Sequence, residues 1–270
     1  SIADAVEAKM KSGGIASHSY WGTEIEFFVL KSISIGRNGS GEHVSVVPIE
    51  LSKESGYFAA APHDLSKGFR NEAMLTLMQM GITVERGHHE VAPGQHEINF
   101  RYSTMTKAGD NVLWYKYALT KVAKKHGVEV SFLPKVFSDE NGSGMHVHQS
   151  LWNGDQNLFA DPSSANGSSA DGISEIGRHY VGGMLQHMPA LAGILGPSSF
   201  SRLRLVPHAE APTKICWGKA NRSAAVRIPV FGEPRFEVRV PDSEGNPFLK
   251  LAAMAAAGME GFRNKTDPPK

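Results

Sequence analysis

Three stretches of the sequence carry two polar side chains at alternating positions within otherwise apolar runs. The pairs are Glu24 with Glu26, His146 with His148, and Glu237 with Arg239. Alternate residues of a β-strand point to the same face, so each pair would project two polar groups from one side of a sheet. A single pair is as readily explained by a solvated strand face. Buried charges need partners or a metal, however, and three such pairs indicate a polar site.

A fourth stretch, residues 88–97, contains two glutamates on either side of a turn signal. Glu90 and Glu97 lie seven positions apart, which on one continuous strand would place them on opposite faces. Pro93 and Gly94 interrupt that strand, so a hairpin could present both carboxylates to one pocket. Taken alone, the stretch is more simply two surface glutamates on a hairpin, and it lacks the His-Glu-x-x-His spacing of zinc proteases.

If these stretches converge, their side chains form a ligand set dominated by carboxylate oxygens, with one or two imidazoles. The carboxylates are Glu24, Glu26, Glu90, Glu97 and Glu237. Such a set suits Mg²⁺ or Mn²⁺ better than Zn²⁺, because thiolates are missing and imidazole is the minority. Five carboxylates exceed what one divalent ion needs. Two or more ions would offset their repulsion, an arrangement that commonly serves phosphoryl transfer.

Arginines are dense in the last part of the chain and favour an anionic substrate. They are Arg202, Arg204, Arg222, Arg227, Arg235 and Arg239, all within 38 residues. Arginine forms bidentate hydrogen bonds to phosphate and carboxylate groups, although for Arg202 a solvated position remains the simpler interpretation. The Asn-Gly-Ser-Gly loop at 141–144 lacks the Lys-Ser/Thr ending of a Walker A sequence and by itself is more often a simple turn.

The elements that must position these residues follow from periodicity and turn signals. Helices are predicted within 1–18 and over 69–80, 106–126, 172–195 and 246–261, and strands over 20–30, 82–91, 95–102, 128–133, 145–152, 225–231 and 235–240. The stretch 201–213 is predicted to be a loop. Strands in neighbouring pairs, with long helices between some pairs, predict an α+β fold with a mixed or antiparallel sheet and helices on one side.

The composition is typical of a globular chain and gives no sign of nucleic-acid or membrane binding. Of 270 residues, 41% are hydrophobic and 20% are charged, and the formal net charge is +1. No membrane span or signal peptide is visible. Cys216 is the single cysteine, so an internal disulfide is excluded and a reducing, cytoplasmic compartment is expected.

Seven segments, in order along nearly the whole chain, together resemble the catalytic domain of the glutamine synthetases, most of all the bacterial and archaeal type I enzymes. They read GTEIEFF at 22–28, VERGHHEVAPGQHEINF at 84–100, NGSGMHVHQSLW at 141–152, RLVPHAEAPT at 204–213, NRSAAVRIP at 221–229, RFEVRVPD at 235–242 and NPFLKLAA at 246–253. A joint match of this length is far more specific than any one short motif.

This resemblance implies a fold and an activity. The fold would be α+β, a curved, mainly antiparallel β-sheet forming a half-barrel active site with helices packed on the outside, of the glutamine synthetase and guanido kinase catalytic-domain type. The reaction would be ATP-dependent ligation of ammonia to the γ-carboxylate of L-glutamate through γ-glutamyl phosphate, giving glutamine, ADP and phosphate. Residues 1–270 would be one catalytic domain, with an N-terminal β-grasp domain and a C-terminal extension outside the chain, so this stretch alone could be inactive.

The resemblance also implies roles for individual residues. Two or three Mg²⁺ or Mn²⁺ ions are expected, the first held by Glu26, Glu90 and Glu97 and the second by Glu24, His146 and Glu237. The implied nucleotide-binding residues are Glu85, His148, Ser150, Arg227 and Arg235. Those implied for substrate glutamate are Asn141, Gly142, Arg204 and Arg239. Arg222 would stabilise the transferring phosphoryl group, and Glu210 would close the site and help deprotonate ammonium.

One segment departs from the family pattern and keeps alternatives open. Where the family usually reads NPTVNSYKRL, residues 196–205 read GPSSFSRLRL, so Phe200, Arg202 and Leu203 stand in place of Asn, Tyr and Lys. Because this segment is expected to border the substrate pocket, the first alternative is a γ-glutamyl ligase for an organic amine or polyamine. A catalytically incomplete homologue and an unrelated metal-dependent hydrolase are the other two.

The partners implied are L-glutamate, ATP and ammonia. The full-length parent would form a homo-oligomer of stacked rings, and neither nucleic acid nor a membrane is expected as a partner.

Overall fold

A computed structural model describes residues 1–38, 41–49, 56–161, 172–207 and 210–269. The helices are α1 (Ile2–Ser12), α2 (Lys67–Gln79), α3 (Met105–His126), α4 (Glu175–Leu195), α5 (Ser199–Arg204) and α6 (Pro247–Asn264). The strands are β1 (His18–Asn38), β2 (Gly41–Pro48), β3 (Val84–His89), β4 (Gln95–Phe100), β5 (Glu129–Ser131), β6 (Met145–Asn153), β7 (Gln156–Asn157), β8 (Lys214–Lys219), β9 (Ala224–Ile228) and β10 (Phe236–Val238).

All described strands belong to one sheet, and the long strand β1 lies at its centre. The main order is β3-β4-β1-β6-β10-β9-β8, with β2 and β5 also pairing with β1 and β7 pairing with β6. Every described pairing is antiparallel except the one between β8 and β9. The predicted α+β class and mainly antiparallel sheet are therefore confirmed.

The predicted helices are present, and their ends follow from capping. The Ser1 side chain accepts a hydrogen bond from the Asp4 backbone N–H at the start of α1, and Asn246 caps α6 in the same way. The helix α3 ends at Gly127, whose left-handed φ of 65° few other residues adopt without strain.

Two elements in the last third of the chain differ from the prediction. Residues 199–204 form helix α5, which overlaps the stretch 201–213 predicted to be a loop, and Ser198 caps it in a box with Ser201. Six residues are too few for helical periodicity to show. The strand β8 was not predicted, because its ends are lysines and it lies at the edge of the sheet, half-exposed. The polar sequence predicts a loop or hairpin over 32–55 and a further polar segment over 153–171. The strands β1 and β2 form a hairpin in the first, and residues 50–55 and 162–171 lie outside the described residues.

The two faces of the sheet have different chemistry, and the helices cover only the apolar one. In β1, Ile25 and Phe27 are fully buried in the core, next to Tyr115 of α3. Helices α4 and α6 approach so closely that a Cβ at Gly183 would lie 2.3 Å from the Ala257 carbonyl oxygen. No helix in the described ranges is long and apolar enough to cross a membrane.

A buried lysine joins three segments behind the sheet. Lys250 interrupts the apolar sequence of α6, is 1% exposed, and donates hydrogen bonds to the Leu195 carbonyl at 2.6 Å and the Asp242 carbonyl at 2.7 Å. Its Nζ also lies 3.2 Å from Asp242 Oδ1. Burial lowers the pKa of Lys250 to about 8, so the side chain is still mostly protonated at neutral pH. It thereby ties the end of α4 and the loop after β10 to α6.

Replacing this lysine with an apolar side chain of similar length should therefore strongly destabilise the protein. We expect Lys250→Met to reduce the free energy of unfolding by roughly 3–5 kcal/mol, because it leaves the buried Asp242 carboxylate without its cation. Urea denaturation followed by circular dichroism measures the change. The control is Lys107→Met, which alters an exposed lysine of α3 and should change stability by less than about 0.5 kcal/mol. Equal effects of the two substitutions would contradict the role given to Lys250.

Candidate active site

The strand register collects most of the predicted polar residues, together with neighbours that were not predicted, into three rows across the uncovered face of the sheet. The inner row is His88, Glu97 and Glu26; the middle row is Arg86, Asn99, Glu24 and His146; the outer row is Gly22, His148, Glu237 and Arg227. Within each row, neighbours are direct cross-strand partners, whose side chains lie close together. The convergence expected from the alternating pairs is therefore what the register produces.

Carboxylate and imidazole groups in these rows and on the adjoining turn lie close enough to share metal ions. Three groups each have ligand atoms within 4.8 Å of one another: Glu24, His148 and Glu237; Glu24, Glu97 and His146; His88, Glu90 and Glu97. The Nδ1 atom of His146 lies 3.6 Å from both a Glu24 and a Glu237 oxygen, which brings the expected second-ion ligands together. Carboxylates with a minority of imidazole fit Mg²⁺ or Mn²⁺.

The three residues expected around the first ion do not form one of these close groups together. Glu90 and Glu97 flank the β3–β4 turn as predicted, but they group with His88, whose Nε2 is 2.8 Å from Glu90 Oε1. The carboxylate of Glu26 also faces the site and accepts a hydrogen bond of 2.6 Å from the Gly144 N–H. Sequence reasoning missed His88, although its position two residues before Glu90 on one strand could have indicated it.

The acidic cluster is electrostatically uneven. Burial, together with the charges of Glu24, Glu26 and Glu90, raises the pKa of Glu97 well above its usual range. Burial also acts to raise the pKa of Glu24, but the charge of His148 and hydrogen bonds from both site histidines outweigh it and hold that pKa well below its usual range. Glu24 is thus compensated by its two histidine neighbours, whereas the charges around Glu97 raise its pKa further.

A buried brace behind the cluster holds the β3–β4 hairpin. Arg70 of α2 donates to Asp64 Oδ2 at 2.6 Å and to His96 Nδ1 at 2.8 Å. Burial and the charge of Arg70 keep the pKa of His96 well below its usual value, so this ring is neutral and accepts the bond. Because His96 precedes Glu97, the brace anchors the strand that carries that carboxylate.

Three cavities open along this face, and they share lining residues. A small pocket brings together the residues expected to hold substrate glutamate, namely Asn141, Gly142, Arg204 and Arg239, with Glu26, Glu90, His146 and Glu210. An acidic cleft contains all six expected metal ligands with Arg222 and Arg227. A wide cleft contains Glu85, His148, Ser150 and Arg235. Arg227, expected near the nucleotide phosphates, lines the acidic cleft and forms an ion pair with Glu237.

The arginines of the small pocket are held by the protein itself. Arg204 is buried and donates 2.9 Å hydrogen bonds to the backbone carbonyls of Val240 and Arg239. The Arg239 side chain pairs with Glu237 at 3.2 Å and donates to the Glu210 carbonyl. Glu210 has a left-handed φ of 54° and an exposed side chain at the pocket rim. These contacts fix the positions of both guanidinium groups before any ligand binds.

Aromatic residues that sequence reasoning missed line two of the cavities. Tyr57 lies in the acidic cleft and is hydrogen-bonded to Arg222. The next residue, Phe58, adopts a left-handed φ of 61° and stacks on the His88 ring at 4.6 Å. The wide cleft is walled by Tyr20, Tyr102 and Trp152, flat side chains on which a base could stack. Tyr20 and Trp152 lie on β1 and β6, the strands that carry two of the polar pairs, and this was the available signal.

The segment 196–205 departs from the family pattern, but its replaced side chains Phe200, Arg202 and Leu203 do not line the cavities. On α5, Phe200 is 43% exposed and Leu203 is 56% exposed, and Arg202 is also exposed. The buried residues of this helix are Ser201 and Arg204. None of the three replaced positions lines the cavities named above. The segment thus borders the small pocket, as expected, but it does so through Arg204 and not through the replaced positions.

Comparison with known proteins gives one consistent result. The family described as glutamine synthetase, catalytic domain, matches residues 1–270. The chain is 40% identical over 290 aligned positions to a glutamine synthetase of Frankia alni, with 99% of this chain and 60% of that protein covered. It is also 40% identical, with the same two coverages, to a glutamine synthetase of Escherichia coli strain K12. The chain thus spans about three fifths of the length of these relatives.

A solved structure agrees with these relatives. The cryo-electron microscopy structure of Plasmodium falciparum glutamine synthetase superposes with a TM-score of 0.91 at 28% identity, over 99% of this chain and 56% of that one.

The buried Glu97 carboxylate, whose charge its neighbours do not compensate, should reduce the free energy of unfolding when no metal is bound. We expect Glu97→Gln to raise the melting temperature of the metal-free protein by about 2–4 °C, the shift that about 1 kcal/mol produces in a chain of this size. The same substitution should remove most of the stabilisation by Mn²⁺, because it removes a shared ligand. Thermal unfolding with and without MnCl₂ measures both effects, and Glu129→Gln on β5 is the exposed control. Equal Mn²⁺ stabilisation in wild type and Glu97→Gln would contradict the assignment.

The small pocket depends on a glycine at position 142. A Cβ there would lie 2.4 Å from the Pro134 carbonyl oxygen and 2.7 Å from Arg204 Cγ. We expect Gly142→Ala to reduce the free energy of unfolding by roughly 1–3 kcal/mol, the range for overpacking a buried site. The matched control is Gly68→Ala in α2, where nothing lies within 4 Å and alanine should be neutral or stabilising. Urea titrations compare the two, and no loss in Gly142→Ala would show that the loop can shift freely.

Proposed function

The chain belongs to the glutamine synthetase family through its catalytic domain, and on that premise we propose that it ligates ammonia to the γ-carboxylate of L-glutamate at the expense of ATP. The products would be glutamine, ADP and phosphate, with γ-glutamyl phosphate as the intermediate. We take residues 1–270 as one catalytic domain. The observation that carries the proposal is the arrangement of the three cavities, in which the acidic cleft shares residues with the pocket on one side and the wide cleft on the other.

The wide cleft is suited to a nucleotide. Its aromatic walls could stack a base, while Glu85, His148, Ser150 and Arg235 provide polar contacts. Arg235 is held in place by hydrogen bonds to His148 and to the backbone carbonyls of Phe231 and Glu233. Glu24 lines both this cleft and the acidic cleft, so a triphosphate can pass from one to the other along the middle row. ATP is therefore the co-substrate that we propose.

The small pocket is suited to the amino acid. Arg204 and Arg239, with the loop residues Asn141 and Gly142, provide the donors that carboxylate groups need. Glu26, Glu90 and His146 line this pocket and the acidic cleft alike. A glutamate bound with its α-carboxylate near the arginines can therefore extend its γ-carboxylate toward the phosphoryl donor.

The acidic cleft is where we propose that divalent ions bind. Glu26, Glu90 and Glu97 would hold one Mg²⁺ or Mn²⁺, Glu24, His146 and Glu237 a second, and the phosphates could carry a third. Bound there, the ions would supply positive charge that offsets the carboxylates and neutralises the phosphates.

Two further groups would act on the reacting atoms. When a γ-carboxylate oxygen attacks the terminal phosphorus and ADP leaves, Arg222 in the acidic cleft would stabilise the charge on the transferring group. Ammonia would then attack the acyl carbon, and phosphate would leave. Glu210, at the rim of both the small pocket and the acidic cleft, would accept a proton from ammonium and shield the intermediate from water.

A homo-oligomer in stacked rings and a cytoplasmic location remain predictions drawn from the family resemblance.

The alternative of an organic-amine ligase was suggested by Phe200 and Arg202. Because neither residue lines the cavities, their positions give that alternative no support. We expect phosphate release that depends on ATP, glutamate and ammonium together, with glutamine as the product. The double variant Phe200→Asn/Arg202→Tyr should change the preference for ammonia over methylamine and polyamines by less than twofold. Coupled phosphate release with product identification by mass spectrometry measures both. Turnover of amines without turnover of ammonia would contradict the proposal.

A further inference from the structure

Arg86 is brought onto the site face by an irregularity in strand pairing. In the β3–β4 ladder, Val84 pairs with Phe100 but Arg86 pairs with Asn99, so one strand carries an extra residue, Glu85. Such a β-bulge re-aims the side chains that follow it. Without it, Arg86 would oppose Ile98, which is fully buried in the core. The bulge instead adds Arg86 to the middle row beside Asn99.

The opposite face confirms this orientation at the next residue. A Cβ at Gly87 would lie 2.7 Å from Met74 Sδ of α2, so position 87 faces the helices. Its neighbours 86 and 88 must then face the cavities, as alternation along a strand requires. Glu85 lines the wide cleft as well, because the bulge interrupts the alternation before Arg86.

Arg86 lies where two cavities meet. Among the described residues, Glu24 and Arg86 alone line both the wide cleft and the acidic cleft. A nucleotide with its base in the wide cleft and its terminal phosphate in the acidic cleft must pass between these two side chains. Glu24 repels phosphate, and Arg86 is the positive group at the same junction.

The guanidinium of Arg86 is also available. It is 62% exposed, and its ionic neighbour is Glu24 Oε1 at the long distance of 4.0 Å. That oxygen already lies 3.1 Å from His148 Nε2. Other arginines of the acidic cleft are bound more closely by the protein: Arg222 to Tyr57, and Arg227 and Arg239 to Glu237. Arg86 can therefore turn toward a ligand without breaking a short ion pair.

We propose that Arg86 binds the triphosphate chain of the nucleotide where it crosses from the wide cleft into the acidic cleft. The inference rests on the proposed ATP-dependent function. A guanidinium suits this position because its planar set of donors can contact two phosphate oxygens at once. Arg86 is then a binding residue for the phosphates and has no contact with the base or the amino acid.

Isothermal titration with MgATP and with adenosine tests this role. We expect Arg86→Ala to weaken MgATP binding about tenfold, equivalent to about 1.4 kcal/mol, and to leave adenosine binding within twofold of wild type. Arg86→Lys should retain part of the affinity, because a lysine keeps the charge but loses the bidentate geometry. The matched control is Arg202→Ala, which removes an exposed arginine on α5 and should leave both affinities unchanged.

The outcomes separate this inference from the proposed function. A wild-type protein that binds no MgATP contradicts the proposed function, and this inference fails with it. Normal MgATP binding in Arg86→Ala overturns the inference alone. An equal loss for MgATP and adenosine also overturns it, because that result indicates a structural role. If Arg86→Ala does not fold, Arg86→Lys is compared with wild type for the same two ligands. A loss of affinity for MgATP alone then supports the inference, and an unchanged MgATP affinity or an equal loss for both ligands overturns it.

Discussion

The pairing register of β1 with β4 and β6 is the constraint on which the rest of the structure depends. Along β1, Ile25 and Phe27 enter the core while Glu24 and Glu26 face the cavities. A slip of one residue would exchange these two sets, exposing apolar side chains and burying carboxylates among them. The cost of that exchange makes the register secure, and with it the cross-strand neighbours of each glutamate. Core packing therefore positions the active-site groups, although none of them belongs to the core.

This arrangement places charges of one sign close together, and the surrounding side chains compensate for only part of them. Glu237 is 1% exposed and has Arg227 and Arg239 beside it, and Glu24 has two histidines. The β3–β4 hairpin has no comparable partner for Glu97, and it is held instead from behind by the brace of Arg70, Asp64 and His96. Electrostatic repulsion that is left uncompensated in this way departs from the usual balance of buried charge, as is expected at a functional site.

Short-range patterns in the sequence were sufficient to predict the strand pairs, the long helices and most polar residues of the site. The turn at Pro93-Gly94 and the end of the helix predicted over 106–126 each depend on neighbouring residues alone, and both were predicted correctly. What escaped prediction depends on contacts between distant residues. The bulge at Glu85 exists only relative to β4, and Tyr57 matters only because the fold carries it to Arg222. The exposed edge strand β8 and the six-residue helix α5 are too short or too polar to show periodicity.

Helix α5 shows why a comparison of sequence motifs can overstate the difference between the binding sites of two relatives. Four of its positions, 199, 200, 202 and 203, depart from the family pattern, and all four are exposed, while Ser201 and Arg204 are buried. Arg204 is further confined by Gly142, which leaves no space for a side chain against it. Only the inward face of this short helix therefore contributes to the small pocket, through Arg204. The exposed positions of α5 therefore give no structural reason to expect a different amine, and the small pocket is formed instead by Arg204 with residues from other elements, such as Glu210.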